Sequence, residues 1–468
     1  MSLFFEELPR LIPCRLVPQD LQGLVGEPAI DTRKIEPRQV FWALQGEKSD
    51  GHDFVGDAFA RGAQAAVVSQ AWFDQQGANA PQGALVVVED TLTALQSLAA
   101  VHRRRFHIPL IALTGSNGKT ATQELLAAAL STKYRIVKSF SSFNNHIGLP
   151  LTLLKINTNT EVAIAELGTN HPGEIEFLCS IAQPDLGIVL NVGPAHLEGL
   201  GSVEAVAREK SALFSSLPPS GTAFVNLDDP FVRCMTSTAQ TRICYGFNGD
   251  YPEASCQQII RAKRLPLSSD GRGRFQLLDW TFGLSLYGEH QLQNALAAAV
   301  VAHHLEVPLT EIVSAFKSVQ PANGRLNVMR VAGITLLDDS YNANPASTSA
   351  ALHLLRSLQG VRRKYVILGD HLELGRAAVL EHRRLGELIA ESALNGVFLI
   401  GSLVSCIRDE IPDQILFYES DLTEISAILN AILQTVKPGD AVLVKASRGM
   451  KLERIVQGIR SHLEMERS

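Results

Sequence analysis

Cysteine is scarce in this chain. Six cysteines, at positions 14, 179, 234, 244, 256 and 406, are scattered through 468 residues, and none forms a Cys-x-x-Cys pair. That spacing excludes a zinc ribbon or a dithiol redox motif, and a chain of this length does not need a disulfide framework. The six read as buried thiols in a reducing compartment. Long apolar runs are also missing. No stretch of about 18 apolar residues is free of charge, so no membrane-spanning helix or membrane insertion is expected. The amino-terminal stretch MSLFFEELPRLIPCRL breaks its apolar run with Glu6, Glu7 and Arg10, which makes a poor signal peptide. An excess of positive charge is absent too. The formal net charge is −6, which argues against a basic nucleic-acid surface. A monomeric cytoplasmic protein without nucleic acid is the expectation.

What the chain does have is core-forming material. Hydrophobic residues make up 46% and charged residues 19%, which excludes global disorder. At ~150 residues per domain the length predicts about three domains, and the patterning divides in the same way. Residues 1–105 hold short apolar runs at 40–44, 65–68 and 84–88, then a helical stretch at 93–105 with a basic end. Residues 106–320 alternate strand and helix, with apolar runs at 162–168, 185–193 and 221–227. Such alternation predicts a parallel sheet covered by helices. The stretch 246–283 is polar and less periodic and predicts antiparallel strands or loops, followed by a helix in 288–307. Residues 321–468 carry buried strands at 335–340, 365–370, 397–402 and 441–447. The expected fold is α/β in three domains, with a central P-loop ATPase domain built on a parallel sheet and a Rossmann-like carboxy-terminal domain.

The sharpest motif is Thr114-Gly115-Ser116-Asn117-Gly118-Lys119-Thr120. It lies where a predicted strand gives way to a predicted helix. Glycines let backbone N–H groups approach a phosphate, and the helix N-terminus favours negative charge there. Lys119 suits the outer phosphates of a nucleotide, and the Thr120 hydroxyl suits Mg²⁺. A chance Gly-Lys-Thr turn would lack the flanking strand and helix. Leu113 stands where the commoner, longer loop has its first glycine. Glu166 closes another apolar run and thus lies at a strand's carboxyl end, where open parallel sheets bind ligands.

The short loop resembles that of the Mur ligases and the folylpolyglutamate synthases. Further segments are similar to the Mur ligases alone, along nearly the whole chain. Asn144-Asn145-His146-Ile147-Gly148-Leu149-Pro150-Leu151-Thr152 and Asp338-Asp339-Ser340-Tyr341-Asn342-Ala343-Asn344-Pro345 resemble the branch that adds D-alanyl-D-alanine. A branch adding the third peptide residue would show Thr-Thr-Pro and Asp-Tyr-Ala-His instead.

The resemblance implies ATP and two Mg²⁺ ions as cofactors, with UDP-MurNAc-tripeptide and D-alanyl-D-alanine as partners. It implies that Gly115 to Thr120 hold phosphate, and that Thr120, Glu166 and His196 hold metal. Lys210 would complete the metal set as a carbamate. Alone, His196 would read as a structural histidine and Lys210 as a solvated lysine. His290 and Asn294, four apart on one helix face, would meet adenine. Arg325 would reach the phosphates, and Asp339 the ribose. Lys119, Lys210, His196 and Arg325 would form the catalytic set. Thr32, Arg33, His52, Asn144, Asn145, Thr152, Asn342 and Asn344 would contact substrate, although Thr32 and Arg33 also suit an ordinary surface turn.

Several positions depart from the pattern. Gln291 stands for Asn, Ser211-Ala212 for Gly-Glu, His371 for Met and Ala446 for Gly. A ligase adding the third residue or glutamate, and a non-catalytic nucleotide-sugar-binding protein on the same scaffold, are the alternatives.

Overall fold

A computed structural model describes residues 3–76, 79–140, 143–247, 249, 256–268, 270–421 and 425–465. Residues 1 and 2 of the amino-terminal stretch, and 248, 250–255 and 269 of the polar stretch, lie outside the described residues. The described chain builds three sheets in succession.

The first sheet contains β1 (Arg15–Val17), β2 (Pro28–Ala29), β3 (Val40–Trp42), β4 (Ala65–Ser69) and β5 (Ala84–Val88). Their order is β1-β5-β4-β3-β2, parallel except for β1 against β5. The helix Thr91–Arg104 follows. Asp90 caps it by accepting from Thr93 N at 2.7 Å, and His102, Arg103 and Arg104 fill its last turn. Arg103 is buried and pairs with Asp185 at 2.9 Å. It also donates to the carbonyls of Phe106 and Ala182. A guanidinium fork spends several donors at once, so this one side chain ties the first section to the base of the second sheet.

The second sheet contains β6 (Leu110–Thr114), β7 (Ile136–Lys138), β8 (Val162–Glu166), β9 (Leu186–Val189), β10 (Thr222–Asn226), β11 (Thr241–Gly246), β12 (Gln258–Leu265), β13 (Arg272–Leu277) and β14 (Trp280–Tyr287). Their order is β14-β13-β12-β11-β10-β9-β6-β8-β7. Pairing is parallel from β7 to β12 and antiparallel across β12, β13 and β14. The last two strands, β13 and β14, alternate more and less buried residues, as one-sided antiparallel strands do. Strand β6 is buried throughout between β8 and β9. The helices Lys119–Leu130 and His290–His304 pack together in the core beside it.

The third sheet contains β15 (Asn327–Val331), β16 (Ile334–Asp339), β17 (Lys364–Gly369), β18 (Gly396–Ile400), β19 (Ile415–Glu419) and β20 (Ala441–Lys445). Their order is β15-β16-β20-β17-β18-β19, parallel except for the β15–β16 hairpin. Buried clusters on both faces mark helical layers on each side. The fold is therefore α/β with parallel-sheet-rich sections.

The cysteines depart from the expectation. Cys234 is exposed, and Cys14 and Cys406 are half-buried. Cys244 and Cys256 form a disulfide with their Cα atoms 6.0 Å apart. Cys244 lies on β11, and Cys256 stands just before β12, which pairs with β11 in register. Strand pairing thus brings together two residues whose sequence spacing is no recognisable motif. Among the described residues, no helix is long and apolar enough to cross a membrane.

His371 is fully buried after β17. Its Nε2 meets Thr348 Oγ1 at 3.0 Å, and its backbone N donates to His382 Nε2 at 3.1 Å. Burial, then the His382 and Lys445 charges, push its pKa down to about 3. The unfolded chain returns it to about 6.5. The folded value is the lower one, so this contribution is complete above pH ~6.5 and is lost as pH falls toward about 3. The slope approaches ~1.4 kcal/mol per pH unit in that window. His371→Met is expected to flatten the fall in Tm between pH 7.5 and 5.0, followed by circular dichroism. An unchanged slope would show that the neutral buried ring is not the source.

Candidate functional site

Strand β6 ends at Thr114, and the helix Lys119–Leu130 starts four residues after Gly115. Gly118 has φ +82, and a Cβ on it would lie 2.1 Å from Asn294 Oδ1. Backbone conformation and close approach both therefore require glycine there. Asn191, just past β9, clamps the loop. Its Oδ1 accepts from Asn117 N at 2.8 Å, its Nδ2 donates to Asn117 O at 3.0 Å, and its carbonyl accepts from Ser116 N at 3.1 Å. Ser116 Oγ exchanges two hydrogen bonds with the Gly193 backbone, at 2.9 and 3.1 Å. Lys119 Nζ donates to Gly115 O at 2.7 Å. Burial pushes its ammonium below the usual lysine value, with Glu166 opposing and Arg325 adding to the shift.

Beside the loop, Thr120 Oγ1 donates to Glu166 Oε2 at 2.9 Å, and Asn144 Nδ2 donates to Glu166 Oε1 at 2.8 Å. Glu166 is 1% exposed at the end of β8. Among the described residues, no cluster of three or more His, Cys, Asp or Glu could cage a metal. A hydroxyl and a buried carboxylate beside a phosphate loop nevertheless suit Mg²⁺, which takes one or two carboxylates and fills its shell with phosphate oxygens and water. The donor set fits the ion.

His196 stands outside this pair, with its Nδ1 2.8 Å from Glu373 Oε2 of the third section. Lys210, on the helix Val203–Ser215, is 1% exposed. Burial and the neighbouring Lys119 charge push its amine well below the ordinary value, against the pull of Glu209. The Glu209 carboxylate itself is engaged elsewhere, accepting from Gly173 N and Ile175 N at 2.7 Å each. Lys210 is therefore a desolvated lysine whose charged form is disfavoured relative to an exposed one.

Residues of the third section close over the loop. Asn344 Nδ2 donates to Asn117 Oδ1 at 2.7 Å. Asp339, at the end of β16, accepts from Lys445 Nζ at 2.5 Å, and Lys445 also donates to Asn342 O at 3.0 Å. The Tyr341 ring carries the Arg325 guanidinium at 4.2 Å and that of Arg448 at 5.1 Å. On the facing helix, Asn294 Nδ2 donates to Gln291 Oε1 at 2.9 Å, and Gln291 Nε2 lies 3.2 Å from His290 Nε2. The departing Gln291 thus joins the two residues expected to meet adenine. Together these groups line one cavity of about 600 Å³, a size that accommodates a nucleotide-sized ligand.

Ser116 to Lys119, Glu166, His196, His290, Asn294, Arg325, Asp339, Asn144, Asn145, Asn342 and Asn344 all line it. Gly115, Thr120, Lys210, Thr32, Arg33, His52 and Thr152 do not, although Gly115 and Thr120 directly flank residues that do. Thr32 opens the short turn Thr32–Lys34, and the exposed Arg33 pairs with Asp31 at 2.8 Å. His52 is buried, with Nδ1 2.6 Å from Asp50 Oδ1 and Nε2 accepting from Ser69 N at 2.9 Å. Thr152 is buried and donates to Gly148 O within its helix. Asn191, Tyr341, Lys445 and Glu373 were missed as site residues. Asn191 and Lys445 carried a usable signal, a polar residue at the carboxyl end of a buried run.

Known proteins resemble this chain along most of its length. The Mur ligase middle domain matches residues 113–302, the Mur ligase glutamate ligase domain 324–448, and the Mur ligase family catalytic domain 29–103. The UDP-N-acetylmuramoyl-tripeptide–D-alanyl-D-alanine ligase of Bacillus subtilis (strain 168) is 35% identical, over 94% of each chain. That of Escherichia coli (strain K12) is 33% identical over 92% of this chain and 93% of its own. A crystal structure of MurF from Acinetobacter baumannii superposes with a TM-score of 0.84 at 30% identity, covering 97% of this chain and 98% of that one. The Thermotoga maritima MurF ligase in complex with ADP gives 0.79 at 27% identity, over 94% and 99%.

Gly118→Ala tests the loop geometry. The added methyl must displace Asn294 and adopt a left-handed backbone that costs about 1–2 kcal/mol. ATP affinity is expected to fall by about tenfold or more, since ~1.4 kcal/mol is a factor of ten. Calorimetric titration of ATP, with circular dichroism as the folding control, measures it. Wild-type affinity in a folded variant would contradict the geometry.

Proposed function

The chain belongs to the Mur ligase family, and from that premise we propose that it joins D-alanyl-D-alanine to UDP-MurNAc-tripeptide in peptidoglycan precursor synthesis, converting ATP to ADP and phosphate. The observation that carries this reading is the convergence of the two sections on one cavity. The phosphate loop comes from the second sheet. Asp339 and Asn344 come from the third, and Asn344 reaches the loop through Asn117. Relatives that carry this activity in their names match over more than nine-tenths of the chain.

In the proposed reaction, the tripeptide carboxylate takes the γ-phosphoryl group of ATP, giving an acyl phosphate and ADP. The amine of D-alanyl-D-alanine attacks the acyl carbon. The tetrahedral intermediate expels inorganic phosphate, and the nitrogen gives up a proton, leaving the amide. Both reactants of the first step are anions, so screening and positioning are the main work. Lys119 and Arg325 supply positive charge to the phosphates. Thr120 and Glu166 would hold Mg²⁺, which when bound screens the oxygens of phosphate and carboxylate. A second Mg²⁺ would take His196. His290 and Asn294 would receive adenine, and Asp339, oriented by Lys445, the ribose. Docking of the third section keeps water from the acyl phosphate.

In this reading, residues 1–105 take the UDP end, 106–320 the ATP and 321–468 the dipeptide. Thr32, Arg33 and the asparagines at 144, 145, 342 and 344 would touch substrate. The reaction belongs in the cytoplasm, where nucleotide-activated precursors are made.

Lys210 is proposed to work as a carbamate. Its neutral amine attacks CO₂, forming an N–C bond and releasing one proton, and the product is an anion that complements adjacent cations. Support comes from burial and from the neighbouring Lys119 charge, both of which favour the neutral amine. With ¹³C-bicarbonate, a protein-bound carbamate resonance is expected in the wild type and not in Lys210→Ala. That variant should lose ~10²–10³-fold in kcat, and short-chain carboxylic acids should restore part of it. A labelled wild type without the resonance, though fully active, would defeat the carbamate.

Acceptor choice tests the function itself. Purified enzyme with ATP, Mg²⁺ and UDP-MurNAc-tripeptide should yield the pentapeptide mass with D-alanyl-D-alanine, and little product with D-alanine, meso-diaminopimelate or D-glutamate. Efficient use of a free amino acid, with no dipeptide product, would assign a different branch. ATP binding without product from any acceptor would favour a non-catalytic binding protein.

A further inference from the structure

Glu373 makes a contact that the reaction scheme above does not use. It sits on the loop after β17, in the third section, and reaches across to the segment after β9. Its carboxylate meets His196 Nδ1 at 2.8 Å, and its backbone carbonyl accepts from Glu198 N at 3.0 Å. Two residues on, Gly375 lies so close to Glu198 that an added Cβ would be 3.2 Å from Glu198 Cα. The contact is thus made by side chain, backbone and close packing together.

Both residues of the pair are conformationally unusual. His196 has φ +55 and Glu373 φ +64. L-residues with side chains avoid this left-handed region, and such strain persists only where the surroundings hold it, often at functional contacts. Here the two strained residues come from different sheets and meet ring to carboxylate. A carboxylate at Nδ1 accepts the N–H there. That fixes the tautomer and leaves the Nε2 lone pair for a cation. A carboxylate behind a ligating histidine also raises its basicity.

We propose that Glu373 is a positioning residue that locks the His196 ring for cation binding, so that the second cation site is complete only when the third section is docked. The inference rests on the proposed reading of His196 as a ligand. Cation binding and docking then favour one another to the same degree, because coupling between sites is reciprocal. Glu373 is half exposed, so truncating it opens no core cavity.

The test titrates Mn²⁺, as the probe ion, into full-length protein saturated with a non-hydrolysable ATP analogue, and counts free Mn²⁺ by electron paramagnetic resonance. Two bound ions are expected in the wild type. In Glu373→Ala, one of the two should weaken by ~10–100-fold, the usual effect of removing a partner behind a metal ligand. Glu373→Gln should recover most of that affinity, because its amide oxygen still accepts from Nδ1. Adding Glu373→Ala to His196→Ala should cost little more than His196→Ala alone. Small-angle scattering of the same samples should show compaction at higher Mn²⁺ in Glu373→Ala than in the wild type. Wild-type Mn²⁺ affinities in Glu373→Ala, or a tighter second ion, would overturn the proposal while leaving His196 as a ligand. Equal Mn²⁺ binding by wild type and His196→Ala would overturn the ligand reading and the proposal with it.

Discussion

The structure turns on gathering like charges into one partly dry space. Lys119 feels Arg325, and Lys210 feels Lys119. Such charges repel more strongly in a low-dielectric cavity than in water. The fold contains them by distributing their partners. Glu166 is buried beside Lys119 and held by Thr120 and Asn144, while Asp339 takes Lys445. The Tyr341 ring lies beneath both Arg325 and Arg448 and offers each a π face, and Arg448 also pairs with Glu453 at 3.2 Å. The cavity lining sets four cationic side chains, Lys119, Arg325, Lys445 and Arg448, against four carboxylates, Glu166, Glu174, Asp339 and Glu373, and that balance demands groups from both sheets.

Neither sheet satisfies that demand alone. The second sheet offers the loop and a carboxylate at adjoining strand ends, the position at which open parallel sheets bind ligands. The third brings Asp339, Asn344 and Glu373 to the same place. Its hold on the loop is narrow, since Asn344 to Asn117 is a single side-chain pair. Small contacts of this kind between sections of one chain permit relative motion. The first section is tied differently. Arg103 with Asp185 joins it through a buried guanidinium rather than through the cavity.

Legibility in the sequence followed the range of the interactions. The phosphate loop and its flanking strand and helix were readable because glycine placement and hydrophobic period are local properties. Most buried strands were readable for the same reason, though β11 and β19 were not, and for 246–283 the polar, less periodic pattern allowed antiparallel strands or loops alike. Strands β1, β2 and β7, two or three residues long, carry no period to detect. Asn191 and Glu373 depend on partners 74 and 177 residues away; its place past a buried run marks Asn191 as a candidate, but the contacts of both come only from the fold. The disulfide was missed because it depends on strand register. His52 shows the converse. The resemblance makes it a substrate contact; its ring lies between Asp50 and a backbone N–H 17 residues on, a setting that only the fold reveals.

The crossing between the second and third sheets has one further property. Arg325 stands between Gly324, with φ +68, and Leu326, with φ +56, and Gly324 O accepts from Tyr341 N at 2.9 Å. The segment that joins the sections therefore also carries a cavity-lining cation. Two left-handed residues and the Tyr341 hydrogen bond set how Arg325 leaves the backbone. Inserting or deleting one residue there would leave both sheets able to form, yet would turn the guanidinium off the Tyr341 ring. Surface loops ordinarily tolerate changes of length, but this connector behaves as a ruler, and its length belongs to the chemistry.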